Sequence, residues 1–183
     1  MREFLSKIIH TPRLLTPTRL ITQQQPELEV IGSALQDNVR RLFKGSLAIR
    51  QIDTGSDNAT EQELAALTNA YYDIERFGIH FVPSPRHADM LLVTGPVTRN
   101  MAEALKRAYD ATPHPKLVVA VGDDAIDGGI YKGSYAVLDG VSQVIPVDYQ
   151  IAGDPPSPLA IMQSLLAILD GAKKAPKQKD QSR

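Results

Sequence analysis

Four short apolar runs without polar alternation set the strongest limit on how this chain can fold. They occupy residues 47–52, 89–95, 116–122 and 143–148. Between and after them lie three longer segments with the periodicity of amphipathic helices, at residues 61–76, 100–112 and 158–172. Strands that lack alternation and are separated by helices are typical of a parallel sheet buried on both faces. The pattern therefore predicts an α/β domain built on an open, mostly parallel sheet with helices on both sides.

The two ends of the chain differ from this central region. Residues 1–45 contain the stretch TPRLLTPTR and the polar run QQQPE, so little continuous structure is expected there. We interpret them as a basic, Pro-containing docking segment, followed by the α/β domain at 46–172 and a disordered basic tail at 173–183.

Charge is distributed unevenly along the chain. Residues 1–50 and 171–183 each carry four more basic than acidic side chains, whereas residues 51–170 carry nine more acidic than basic ones. Basic ends on an acidic body favour docking to anionic or acidic partners, and ordinary solvated termini are the alternative.

The chain contains no cysteine, which restricts the chemistry available to it. Disulfides, thiolate catalysis and thiolate-bound zinc or iron–sulfur centres all require that residue.

No apolar run approaches the roughly 20 residues needed to cross a bilayer, and the N-terminus lacks the features of a secretory signal, so a cytoplasmic location is the default expectation. The low aromatic content, 5% with no tryptophan, argues against a nucleic-acid stacking surface.

Acidic residues follow the ends of several predicted strands. Asp57 lies in the loop GSDNATEQE after the first run, Asp123, Asp124 and Asp127 follow the third run, and Asp154 lies in AGDPPSP before the last helix. Because the carboxyl ends of parallel strands meet at one edge of a sheet, these five side chains could converge on a single site. The alternative is that they are ordinary loop and capping residues.

Three longer stretches carry a resemblance to a known family. They read YYDIERFGIHFVPSPRHADMLLVTGPVTRNM (71–101), KLVVAVGDDAIDGGIY (116–131) and VIPVDYQIAGDPPSP (144–158). In content, order and spacing they resemble the small subunit of energy-converting, membrane-bound nickel–iron hydrogenases, including the formate hydrogenlyase type, and the B-type (20 kDa) subunit of respiratory complex I. The resemblance covers residues 46–170 and implies a flavodoxin-like α/β fold within a membrane-associated complex.

In that family four cysteines hold one 4Fe–4S cluster, and the resemblance places their positions on Asp57, Thr60, Asp124 and Asp154. Every ligand is thus replaced by a hard oxygen donor, so the cluster is expected to be absent. Three interpretations of the remaining pocket stay open. They are a remodelled polar pocket, a divalent cation held by Asp57, Asp124 and Asp154, and a proton relay through the same three acids.

The resemblance also implies a partner interface. Arg76, Phe77, Arg86 and His87 fall in stretches that, in the family, face the large catalytic subunit and the membrane arm. The alternative for the two arginines is a local role, such as pairing with Asp73 or Asp89. The histidines are interpreted as ordinary polar residues, because no second ligand lies at a suitable spacing.

Taken with the missing cysteines, the resemblance predicts a cluster-less structural and coupling subunit at the cytoplasmic face of a membrane. It would bridge a hydrogenase-large-subunit-like partner to membrane-arm and antiporter-like subunits, without a transmembrane segment of its own and without binding nucleic acid. The alternatives are a divalent-metal or proton-relay acidic site at the former cluster position, and a divergent redox subunit of the same complex.

Overall fold

A five-stranded parallel sheet forms the centre of the computed structural model, which describes residues 26–174 and, of their side chains, those up to residue 171. Its strands run in the order β2-β1-β3-β4-β5, and every neighbouring pair is parallel. They are β1 (Leu47–Asp53), β2 (Ile79–Phe81), β3 (Met90–Thr94), β4 (Leu117–Val121) and β5 (Tyr149–Ile151). This strand order is that of the flavodoxin-like doubly wound sheet, so the predicted fold class is confirmed.

Helices cover both faces of the sheet, as predicted. They are α1 (Pro26–Phe43), α2 (Ala59–Ala66), α3 (Arg99–Ala111), α4 (Asp123–Asp127) and α5 (Pro158–Lys174), with short 3-10 turns between several of them. Successive strand residues point to opposite faces, so Leu92 joins the apolar cluster beneath α1, α2 and α5, whereas Leu91 joins the one beneath α3 and α4. The sheet is therefore buried on both sides, which explains why its strands lack polar alternation.

Helix α1 corrects the expectation that residues 1–45 hold little continuous structure. Its buried residues Leu28, Ile31, Leu35 and Val39 recur at helical spacing and join the first apolar cluster. The amide of Asn38 donates a hydrogen bond to the Asp170 carboxylate of α5 at 3.1 Å. The rest of the predicted docking segment, residues 1–25, lies outside the described part of the chain, as do residues 175–183 of the predicted tail.

Two predicted elements have different boundaries in the structure. The apolar run at 143–148 is not a strand, because its side chains Val144, Ile145 and Val147 pack from a loop against the second cluster and β5 begins only at Tyr149. The predicted helix at 61–76 ends early, at Ala66. A turn follows in which Asp73 adopts φ 45°, and the chain then forms a 3-10 turn over Ile74–Phe77.

The geometry of the parallel sheet brings four loops to its carboxyl edge, after β1, β3, β4 and β5. This is the edge at which open α/β sheets hold their ligands. Within residues 26–174, no helix has both the length and the apolarity required to cross a membrane.

Candidate functional site at the carboxyl edge of the sheet

The first loop is ordered by its own side chains. The Asp53 carboxylate accepts hydrogen bonds from the backbone N–H groups of Gly55, at 2.7 Å, and Ser56, at 2.9 Å. The Asp57 carboxylate accepts from the N–H of Ala59 at 2.9 Å, at the start of α2. Acidic side chains are favourable near a helix N-terminus, where the N–H groups lack partners within the helix. Asp57 therefore has a local structural role, which agrees with the capping interpretation of these acids.

The first loop and the start of α2 lie close to the glycines that follow β3 and β4. Gly95, after β3, adopts φ 74°, and a Cβ there would lie 2.5 Å from the backbone nitrogen of Ser56. Gly122, after β4, adopts φ 91°, and its Cβ would lie 2.8 Å from the Thr60 hydroxyl oxygen. Thr60 is itself buried, with 8% of its surface exposed. The side chain of Thr60 therefore lies close to the backbone of Gly122.

The third and fourth loops are joined by a reciprocal pair of hydrogen bonds. The N–H of Asp123 donates to the Gly153 carbonyl at 2.9 Å, and the N–H of Gly153 donates to the Asp123 carboxylate at 2.8 Å. This arrangement holds Asp154, the next residue along the chain, close to α4.

The carboxyl group of Asp124, in α4, has a shifted pKa. Burial raises the pKa of its carboxyl group above the usual value, and the negative charges of Asp154, Asp57 and Asp123 raise it further. A hydrogen bond from the N–H of Ile130 acts in the opposite direction. Asp57, Asp123 and Asp154 therefore lie near enough to Asp124 to disfavour its charged form, whereas Asp127 pairs with Lys132 at 2.8 Å.

An open groove of about 570 Å³ runs beside these acids. Its walls include Asp123, Asp127 and Asp154 together with the apolar side chain of Ile130. Asp124 borders the groove through Gly129, because a Cβ on that glycine would lie 1.9 Å from an Asp124 carboxylate oxygen. The groove is acidic along one side and apolar at Ile130.

The side chains at the four former cluster positions do not suit a thiolate-bound cluster. Each offers an oxygen donor, and iron–sulfur clusters are held by soft thiolates. Thr60 is packed against Gly122, and Asp57 already accepts a backbone hydrogen bond. Among the residues with described side chains, no group of three or more His, Asp or Glu is arranged to hold a metal ion. The divalent-cation interpretation remains a prediction.

The predicted interface residues flank β2 and differ in exposure, with Arg76 and Phe77 before the strand and Arg86 and His87 after it. Phe77 is only 4% exposed, and it packs against Gly32 of α1. Arg76 pairs with Glu29 of α1 at 3.1 Å, not with Asp73 or Asp89, and its guanidinium lies 4.5 Å from the Phe77 ring centre. Arg86 and His87 are exposed. A docking role for the four residues remains a prediction: Phe77 is buried, the Arg76 side chain is 28% exposed, and Arg86 and His87 are exposed.

Sequence reasoning missed one carboxylate near the site. Glu61, in the first turn of α2, accepts a hydrogen bond from the Ser56 hydroxyl at 2.5 Å through one oxygen. Its other oxygen is buried and has no hydrogen-bond partner among the described residues. The signal available in the sequence was an acid one residue after Thr60 at a helix start, a position at which acids are common.

This fold and its acidic edge define a class, the flavodoxin-like α/β subunits related to hydrogenase small subunits. The chain belongs to the family described as the 20 Kd subunit of NADH ubiquinone oxidoreductase, whose sequence pattern matches residues 58–168. It is 47% identical over 131 residues to an uncharacterized protein of Methanocaldococcus jannaschii, covering 71% of this chain and 88% of that protein. It is also 39% identical over 137 residues to formate hydrogenlyase subunit 7 of Escherichia coli, covering 75% of this chain and 54% of the relative.

Solved structures give the same assignment of fold. A chain of the membrane-bound sulfane sulfur reductase, an archaeal respiratory membrane complex, is 37% identical and superposes with a TM-score of 0.62 over 74% of each chain. A chain of an NAD+-reducing nickel–iron hydrogenase is 18% identical, with a TM-score of 0.54 over 69% of this chain and 92% of the other. The second likeness concerns the fold alone. The family resemblance predicted from the sequence is confirmed.

Proposed function

We propose that this protein is a cluster-less structural and coupling subunit of a membrane-associated complex related to hydrogenases and complex I. It would bridge a large-subunit-like partner to membrane-arm and antiporter-like subunits, and it would lie peripherally at the cytoplasmic face. The observation that carries the proposal is the retention of the family's fold and loops around four positions that now bear oxygen donors.

The packing of the loops supports a structural role. The Thr60 side chain lies close to Gly122, and Asp123 and Gly153 are joined by two hydrogen bonds, one of them accepted by the Asp123 carboxylate, so that the loops after β4 and β5 are held together. A buried polar site is stable when its groups are hydrogen-bonded within the protein, and most of the loop groups described above have such partners. Without a redox centre, the subunit would transmit changes in conformation or protonation and not electrons.

Purification of the full chain in its native complex tests the proposal. A tagged chain should bring with it a homologue of the hydrogenase large subunit and integral membrane proteins of the antiporter type, in fixed stoichiometry. Size-exclusion chromatography of the detergent-solubilised material would then place all of them in one peak. A stably monomeric chain without those partners would contradict the proposal.

A second candidate, a proton relay, is favoured by Asp124. Its raised pKa brings protonation closer to the physiological range, and three further acids surround it. In the native complex, Asp124→Asn should slow coupled proton movement without loss of assembly, and Asp124→Glu should restore part of it. Unchanged proton movement in the Asn variant would exclude the relay.

A further inference from the structure

The C-terminal ends of α1 and α5 lie side by side at the amino edge of the sheet. The amide of Gln163, in the first half of α5, donates a hydrogen bond to the Glu27 carboxylate at the start of α1 at 3.0 Å. Towards the other end of both helices, Asn38 donates to Asp170 at 3.1 Å. The two helices are therefore parallel, and each ends about 6–8 Å beyond the second of these contacts. Since α1 leads directly into the start of β1, both ends lie at the amino edge.

Basic residues are concentrated at these two helix ends. Arg40 and Arg41, in the last turn of α1, and Lys44, just after it, are all exposed. The sequence at 173–183, which begins in the last turn of α5, carries five basic residues and one acidic residue. Basic side chains in the last turn of a helix offset its dipole, which accounts for the two arginines. The dipole effect falls off within that turn, so it does not account for Lys44 or for the charges beyond α5.

Nearby acids do not cancel this positive charge. The Asp170 carboxylate accepts the hydrogen bond from Asn38. Asp37, on α1, and Glu75, in the 3-10 turn that packs against α1, are exposed. These three acids and the one at 173–183 stand against eight basic residues, so an excess of four positive charges remains.

The acidic carboxyl edge lies at the opposite end of the strands. Strand β1 has seven residues, so it separates the two edges by about 20 Å. That distance is more than twice the Debye length of about 8 Å at physiological ionic strength. An anionic surface placed against the amino edge is therefore screened from Asp57, Asp124 and Asp154, and the opposite charges of the two edges favour this orientation.

An exposed apolar side chain lies among the basic ones. Leu42 is 37% exposed and stands in the sequence between Arg41 and Lys44, whereas the adjacent Phe43 packs against the first apolar cluster. Cationic side chains beside an apolar one suit the interface of an anionic bilayer, where headgroups and acyl chains meet. A nucleic-acid surface would instead be expected to present aromatic rings for stacking.

We propose that the adjoining ends of α1 and α5, with Arg40, Leu42 and Lys44 at the centre, bind the anionic phospholipid headgroups of a membrane. The proposal rests on the proposed function for the peripheral location at a membrane. It adds a direct contact with lipid that does not require the partner subunits, and it directs the acidic site away from the lipid surface.

Vesicle binding by the full chain tests the proposal. The unmodified chain should bind vesicles of phosphatidylglycerol and phosphatidylcholine, and not vesicles of phosphatidylcholine alone. Arg40→Gln/Lys44→Gln should weaken the binding about 30-fold, because each basic residue near an anionic surface contributes about fivefold. Arg41 is left unchanged because its side chain is hydrogen-bonded within α1. Lys106→Gln/Arg107→Gln removes the same charge from exposed positions of α3, on the other face of the sheet, and should leave binding unchanged.

Several outcomes would overturn the proposal. They are no binding of the unmodified chain to the mixed vesicles, equal binding to phosphatidylcholine alone, and an equal loss in both double variants, which would show that net charge alone is responsible. Tighter binding to duplex DNA or to a polyglutamate peptide, lost in Arg40→Gln/Lys44→Gln, would assign the surface to a nucleic acid or to an acidic protein.

Hydrogen exchange provides a measurement that does not depend on the variants being folded. In the unmodified chain, exchange in the peptide spanning 37–46 should slow when the mixed vesicles are added, and an unchanged rate would overturn the proposal. Failure of vesicle binding, with the partner subunits still recovered from the native complex, overturns this inference alone. A chain that binds the vesicles but recovers no partner subunit contradicts the proposed function and leaves the lipid contact supported.

Discussion

The raised pKa of Asp124 makes the stability of the protein depend on pH. Because burial and three neighbouring acids raise its pKa, the native state binds a proton more readily than the unfolded chain between the ordinary and the raised value. Native stability therefore falls as pH rises through that window, and above it the charged carboxylate is unfavourable. Asp124→Asn should raise the free energy of unfolding at pH 7, and the difference from wild type should shrink as pH falls towards 4. Urea denaturation at a series of pH values measures it.

Asp127 lies on the same short helix, α4, and its pKa is shifted in the opposite direction, so it provides a control for the Asp124 prediction. Its pKa is lowered by the hydrogen bond from Lys132, by the N–H of Gly129 and by the charge of Lys132. The native state therefore favours its charged form, and the associated stability is present above the ordinary pKa and lost as pH falls. Asp127→Asn should not stabilise the protein at pH 7. Stabilisation by both substitutions would show that the general acidity of the edge is responsible, and not the environment of Asp124.

At the scale of elements, the contact between α1 and the 3-10 turn at Ile74–Phe77 depends on one glycine. A Cβ at Gly32 would lie 2.1 Å from the ring of Phe77, which is itself 4% exposed. Gly32→Ala gains about 1 kcal/mol of helix propensity but overpacks a buried ring, which typically costs ~1–3 kcal/mol. We expect a net loss of about 1 kcal/mol in the free energy of unfolding, measured by chemical denaturation.

Gly171 is the matched control for that substitution, because it lies in α5 with no atom near its Cβ position. Gly171→Ala should stabilise the protein by about 0.5–1 kcal/mol through helix propensity alone. If both glycine substitutions were stabilising, the close approach of α1 to Phe77 would not limit the packing there.

The same elements show which parts of the fold could be predicted from sequence. The runs that became β1, β3 and β4 are continuous and bounded by glycine or acidic residues, so local pattern was sufficient. Helix α1 departs from the sequence prediction because Pro- and Gln-rich residues directly precede it and obscure its start, although Leu28, Ile31, Leu35 and Val39 recur at helical spacing. The run at 143–148 is apolar for another reason, since it packs beneath α3 and α4 from a loop. Apolar content alone does not distinguish a buried strand from a buried loop.

The site was predictable to the extent that topology determines it. The rule that parallel strands bring their carboxyl ends to one edge was sufficient to group Asp57, Asp123, Asp124 and Asp154. It could not reveal that Thr60 packs against Gly122, or that Ile130 and Tyr135 protrude, because exposure depends on how the loops fold over one another. Those facts require tertiary structure.

At the scale of the whole molecule, the proposed absence of an iron–sulfur cluster can be tested directly. The full chain, purified anaerobically and incubated with iron and sulfide, should bind no stoichiometric iron and show no visible absorbance of an iron–sulfur centre, because it has no thiolate to offer. Restoring cysteine at the four positions, as Asp57→Cys, Thr60→Cys, Asp124→Cys and Asp154→Cys together, should allow about four irons per chain to bind. In the present structure Gly95, Gly122 and Gly153 lie close to Ser56, Thr60 and Pro156 respectively, so the variant tests whether these loops can still enclose a cluster. Iron in the unmodified chain would refute the cluster-less proposal, whereas a restored variant that remains iron-free would show that the loops have moved as well as changed their side chains.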